Sequence, residues 1–209
     1  MVGPVVQQPL LKRQIVTFAG SAASPAQFPR DGLPEVAFLG RSNVGKSSLL
    51  NALAGTRGLA HVSSKPGRTH FVNFFRVGSE MYLAGLPGYG YARVPRAMRE
   101  GWEALATSYL LDRAALALCV FLVDARHDPT EGDETLREFL DGQGLPYVLA
   151  ANKLDAVGRG QRNARLRSLE SGLGRQALAV LGVSAESGEG IGALWTAVRT
   201  TARERRRED

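Results

Sequence analysis

The chain has 209 residues, enough for one well-buried domain and too few for two complete ones. Its apolar share of 44% and charged share of 22% are ordinary for a globular protein and exclude extensive disorder. Only four of its 26 basic residues are lysine (Lys12, Lys46, Lys65, Lys153), the rest being arginine, and the net charge of +6 favours an anionic partner such as RNA.

In chain order, residues 1–33 are rich in Pro, Gln, Ala and Ser, and Pro25, Pro29 and Pro34 argue against long regular elements, so an irregular lead-in is predicted. The apolar run 15–20 behind Lys12 and Arg13 is too short for a signal-peptide core. No run approaches the ~20 apolar residues of a membrane helix. Residues 34–200 read as one domain. A strand at 35–40 leads through a glycine-rich turn into a helix carrying Leu49, Leu50 and Leu53. Strands at 71–77 and 81–84 form a hairpin around Gly78 and Ser79. Met98, Trp102, Leu105 and Tyr109 share one helix face.

The uninterrupted apolar run 116–123, ending at Asp124, predicts a strand covered on both faces. A helix with Leu136, Phe139 and Leu140, a strand at 146–151, a helix at 162–173 and a short strand at 177–183 follow. A last helix carries Ile191, Leu194, Trp195 and Val198, and 201–209 is a charged tail. This alternation predicts an α/β fold, a three-layer α/β/α sandwich. Its mostly parallel six-stranded sheet has one antiparallel strand, and ligands sit at the carboxyl ends of the strands. The lone Cys119 can form no internal disulfide, suits a reducing cytoplasm and reads as a small core residue.

Gly40-Arg41-Ser42-Asn43-Val44-Gly45-Lys46-Ser47, followed by Ser48, fits G-x-x-x-x-G-K-[ST] between a predicted strand and a predicted helix. The glycines let backbone N–H groups wrap phosphate oxygens, and the helix N-terminus favours their charge. Lys46 is expected to neutralise the β- and γ-phosphates, and the Ser47 hydroxyl to ligate Mg²⁺.

Asn152-Lys153-Leu154-Asp155 follows a buried strand and matches N-K-x-D. Its aspartate can accept from the N1–H and exocyclic amine of guanine together, whereas adenine would leave it unpaired at a cost of about 1–3 kcal/mol. Ser184-Ala185-Glu186 resembles the element whose backbone N–H meets guanine O6. Between these lies Gly67-Arg68-Thr69-His70-Phe71 in a Pro/Gly loop, where Thr69 can add a hydroxyl to Mg²⁺ only while a γ-phosphate is present. GTP or GDP is the expected ligand.

With Asn73-Phe74-Phe75, Leu86-Pro87-Gly88-Tyr89-Gly90-Tyr91-Ala92 and Asp124-Ala125-Arg126-His127, these motifs resemble the EngB (YihA/YsxC-like) family of bacterial GTPases, within the TrmE-Era-EngA-EngB-Septin-like class with a Ras-like G domain. The likeness runs from about residue 18 to 198. It implies a cytoplasmic monomer acting on a large ribosomal subunit precursor, through rRNA and ribosomal proteins, and a need for it in normal cell division and septation.

The family reads Asp-Leu-Pro-Gly where this chain has Gly85-Leu86-Pro87-Gly88, so the carboxylate that supports Mg²⁺ through its water shell is missing. Binding is expected to survive while metal affinity and hydrolysis weaken. His70 stands where the family usually has Gln. In related GTPases, an Asn at the position of Asn43 helps bind K⁺ near the phosphates. Lys46, Thr69 and Asn43 are therefore the residues expected to act on the γ-phosphate. Arg93, Arg96 and Arg99, and a second group of Arg159, Arg162, Arg165, Arg167 and Arg175, read as basic surface for rRNA phosphates. Two readings remain open, a slowly hydrolysing switch and a sensor that only distinguishes GTP from GDP, beside a third in which the chain is a scaffold at the division site.

Overall fold

A computed structural model describes residues 15–60, 71–89 and 96–208, without the side chains of 96–103 and 208. The strands are β1 (Val16–Ala22), β2 (Glu35–Gly40), β3 (Val72–Val77), β4 (Met81–Gly85), β5 (Leu116–Asp124), β6 (Tyr147–Asn152) and β7 (Ala179–Gly182). The helices are α1 (Lys46–Ala54), α2 (Arg96–Asp112), α3 (Glu131–Gly142), α4 (Arg159–Gly172) and α5 (Ile191–Glu208).

The sheet runs β1-β3-β4-β2-β5-β6-β7. Antiparallel pairing of β3 with both β1 and β4 makes it the one strand that opposes the others. Two expectations change. Among the described residues the sheet has seven strands, because Val16–Ala22, read as part of an irregular lead-in, pairs with β3 from Val16 opposite Val77 to Ala22 opposite Val72. Its ends bury Val16 and Ala22, and the Phe18 ring lies 5.7 Å from that of Phe75, while Pro25, Pro29 and Pro34 fall after the strand. The charged tail is helical to Glu208, because Ala202 is buried and Arg205 and Arg206 donate to the Ala114 and Ser79 carbonyls at 2.9 and 3.3 Å.

Alternation along β2 sorts the core into two layers. Val36 and Phe38 pack with Leu49 and Leu53 of α1 and Leu194, Trp195 and Val198 of α5. Ala37 and Leu39 face Tyr109 of α2, Leu140 of α3 and Leu169 of α4. Each fully buried Leu or Phe contributes about 1.5–3 kcal/mol, and Trp195 Nε1 also donates to the Leu53 carbonyl at 3.0 Å.

The buried Glu35 carboxylate at the start of β2 is satisfied by the Tyr109 hydroxyl at 2.7 Å and by the Arg113 guanidinium, which also donates to Pro29 O. Register then brings the carboxyl ends together, Gly40 beside Leu122, Asp124 beside Asn152 and Ala151 beside Gly182. The predicted motifs therefore meet along one edge of the sheet.

Candidate nucleotide site

From Gly40 the chain turns through 41–45 into α1, with left-handed backbone at Asn43 (φ 62°) and Gly45 (φ 106°). A Cβ on Gly45 would lie 2.4 Å from Asn152 Nδ2, so both conformation and space demand glycine. Lys46 folds back over the loop, its Nζ donating to Gly40 O at 2.6 Å and Arg41 O at 3.0 Å. Burial lowers its pKa to about 7. A Cβ on Gly88 would come within 2.7 Å of Lys46 Nζ and 2.9 Å of Ser42 N, which puts the Gly88 backbone against the lysine expected to meet the terminal phosphates. Ser47 and Ser48 lie half-buried in the first turn of α1.

Beyond Gly85, Leu86 N–H donates to Phe38 O at 3.2 Å, and Pro87 leads to Gly88 and Tyr89, whose carbonyl accepts from Ser42 N–H at 2.9 Å. The Tyr89 hydroxyl donates to Asp133 Oδ1 at 2.5 Å. Asp133 Oδ2 in turn accepts from Thr130 N–H, closing the capping box that starts α3. Burial and then the Asp133 carboxylate raise the Tyr89 pKa well above that of a free phenol, so this hydroxyl stays protonated.

Asn152 is buried at the end of β6, and its Nδ2 donates to Val44 O at 2.9 Å. Lys153, left-handed at φ 64°, donates from Nζ to Asn43 O and to Asp124 Oδ2, both at 2.9 Å. Asp124 also accepts from Arg126 Nε and Nη2. Burial pushes the Asp124 carboxyl up, but the hydrogen bonds from Arg126 and Lys153 outweigh it and hold the pKa well below the usual carboxylate range.

Leu154 N–H donates to Val183 O at 3.1 Å, leaving the Asp155 side chain exposed at the rim. The buried Ser184 Oγ accepts from Glu186 and Ser187 N–H. Ala185 N–H donates to no acceptor among the described residues.

The structure thus brings the 40–48, 85–88, 152–155 and 184–186 residues to one edge. Gly67, Arg68, Thr69 and His70 lie outside the described residues, as do Arg93 and the side chains of Arg96 and Arg99, while Phe71 is exposed ahead of β3. Of the two expected metal ligands, Ser47 is among the described residues and Thr69 is not. A Cβ on Gly85 would meet Leu50 Cδ1 at 3.2 Å, so an aliphatic side chain borders the missing carboxylate's position. Among the described residues no cluster of three or more His, Cys, Asp or Glu could hold an ion. The Ser47 hydroxyl is an oxygen donor that would suit a Mg²⁺ arriving with the nucleotide and drawing its negative ligands from phosphate.

Asp124 and Asp133 went unremarked as functional in the sequence, although Asp124 ends an apolar strand within a quoted motif. Arg162 and Arg165, read as accessible basic surface, are occupied by Glu189 and Asp128 at 2.8 and 2.6 Å.

A phosphate loop whose carbonyls accept from the side chains of an Asn-Lys-x-Asp loop defines a P-loop guanine-nucleotide-binding domain. The family described as 50S ribosome-binding GTPase matches residues 35–153. Two relatives, each called "Probable GTP-binding protein EngB", are 44% identical to this chain. That of Solibacter usitatus (strain Ellin6076) aligns over 90% of this chain and 96% of its own length, and that of Anaeromyxobacter sp. (strain K) over 90% and 91%.

The crystal structure of an engB protein superposes with a TM-score of 0.67 at 23% identity, over 81% of this chain and 99% of its own. Era, in complex with MgGDPNP and nucleotides 1506–1542 of 16S ribosomal RNA, also gives 0.67, at 22% identity over 81% of this chain and 56% of its own. Both share the fold. The chain belongs to the EngB family of GTP-binding proteins.

Proposed function

We propose that this GTP-binding protein is a slow GTPase switch that engages a precursor of the large ribosomal subunit when GTP-bound and leaves it as GDP. The observation that carries the reading is the double link from the base-reading loop to the phosphate loop, Asn152 Nδ2 to Val44 O and Lys153 Nζ to Asn43 O. The two loops are bonded to each other, and Tyr89, next after Gly88, is bonded to the same phosphate loop, so a change at the γ-phosphate would be felt there. The family description and the net charge of +6 support a ribosomal partner, with exposed Arg159 and Arg167 the α4 arginines left for phosphate contact.

Lys46 and Asn43 flank the phosphates, and Ser47 with Thr69 would hold Mg²⁺, which supplies charge neutralisation when bound. K⁺ near Asn43, an exposed side chain with no hydrogen bond among the described residues, would stimulate turnover; equal rates in Na⁺ and K⁺ remove that role. A monomer in the cytoplasm, with a role in division and septation that follows from ribosome supply, completes the reading. Among the described residues no helix is long and apolar enough to cross a membrane.

Gly85 favours a second reading, a sensor of GTP against GDP with little turnover. Co-sedimentation with large-subunit precursors tests the partner. Association is expected with a non-hydrolysable GTP analogue, is weakened by GDP and falls steeply with salt; association indifferent to nucleotide and salt contradicts it.

A further inference from the structure

Arg162, in the first turn of α4, reaches across to both loops that meet the base. Its Nε donates to Val157 O at 3.0 Å and its Nη2 to Asp155 O at 3.3 Å, on the loop that follows β6. Its Nη1 donates to both carboxylate oxygens of Glu189, at 3.0 and 2.8 Å, on the loop that follows β7. Glu189 is itself tied into that loop, its carbonyl accepting from Ser184 N–H at 2.9 Å, while the Ser184 carbonyl accepts from Gly188 N–H at 3.0 Å. One planar guanidinium therefore joins the backbone of Asp155 to the turn that presents Ala185 N–H.

We propose that Arg162 is a positioning residue for guanine selectivity. Through its fork between Glu189 and the Asp155 carbonyl, it sets the separation of the Asp155 carboxylate from Ala185 N–H. This rests on the guanine-binding reading of those two groups and deepens it. Guanine presents its amine and N1–H on one side of the ring and O6 on the next, so both contacts form together only if the two loops keep their spacing to a few tenths of an ångström. Asp155, Ala185 and Glu186 sit on surface loops, and among the described residues the backbone strut between the loops is Leu154 N–H to Val183 O, at their roots.

The Arg162 and Glu189 side chains are 20% and 42% exposed. A pair this open adds little to global stability, so its effect appears in loop geometry. Lysine keeps the charge but cannot span carboxylate and carbonyls as a fork. The same bonds occupy Arg162 internally, which is why it is assigned here and not to a nucleic-acid surface.

The experiment compares Kd for GDP and for IDP, which lacks the exocyclic amine, on the full chain, with ADP as the reference for base reading. The wild type is expected to prefer GDP over IDP and to bind ADP far more weakly. Arg162→Met is expected to weaken both nucleotides but GDP more, lowering the GDP/IDP preference about five- to tenfold, and Arg162→Lys to recover part of the preference. Glu189→Gln, which spares the α4 stem, is expected to shift the same ratio in the same direction by a smaller factor. GDP and IDP weakened equally by both variants, or an unchanged ratio in both, overturns the proposal. A wild type with no preference for GDP over ADP overturns the guanine reading and the proposal with it.

Discussion

Tyr89 donates its hydroxyl to Asp133 Oδ1 at 2.5 Å while its carbonyl accepts from Ser42 N–H at 2.9 Å, so the residue after Gly88 is fastened at once to the phosphate loop and to the start of α3. A phenol held this way, with its pKa raised, does not position a water for attack. Its bond secures a largely buried carboxylate. Tyr89→Phe is therefore expected to cost about 1–2 kcal/mol of stability by urea denaturation, from loss of the bond to Asp133, and to leave GDP affinity within about twofold. Stability equal to wild type shows that Asp133 is satisfied without the hydroxyl.

The bond from Asn152 Nδ2 to Val44 O, beside Gly45, ties the phosphate loop to the Asn-Lys-x-Asp loop. Gly45→Ala would force a Cβ into Asn152 Nδ2 at a residue with φ 106°. Loss of about 2–3 kcal/mol of stability and of at least about tenfold in GDP affinity is expected, since both the left-handed backbone and the bond to Val44 O are disturbed. Calorimetric titration with GDP checks it; unchanged affinity would separate the two loops functionally.

Asp124 gives the fold a pH signature. Its carboxyl is held below its ordinary value, so the folded state binds fewer protons there than the unfolded chain. The stabilisation is present above the unfolded value of about 3.9 and is lost as pH falls from there through the folded value. Asp124→Asn is expected to be about 1–2 kcal/mol less stable at pH 7, with the gap closing below about pH 4. A gap constant from pH 7 to pH 3 would mean that the charge on Asp124 is not what Lys153 and Arg126 require.

Local patterns carried most of the fold. The apolar run at β5 reads as a doubly covered strand because every residue in it is apolar, and the loop from Gly40 to Ser47 is legible because its backbone demands glycine at fixed places. What was not legible depends on tertiary neighbours. β1 was hidden by the prolines that follow it, and only its partner β3 makes the Val16, Thr17, Phe18 run an edge strand. Nothing local marks Tyr89 as the partner of Asp133, or Glu189 and Asp128 as the carboxylates that occupy Arg162 and Arg165. Arginines spaced along a helix read as open basic surface until the loops beside them are in place.

Gly85 carries the central claim, that nucleotide binding is complete while support for hydrolysis is reduced. A side chain added there meets first the flexible Leu50 Cδ1 at 3.2 Å, so Gly85→Asp should fold at a cost of about 1 kcal/mol. Single-turnover GTP hydrolysis across a Mg²⁺ series, wild type against Gly85→Asp, tests this most directly. Gly85→Asp is expected to hydrolyse GTP at least about tenfold faster at limiting Mg²⁺, a barrier lower by about 1.4 kcal/mol, with GDP affinity at saturating Mg²⁺ little changed. Equal rates at every Mg²⁺ concentration would contradict it.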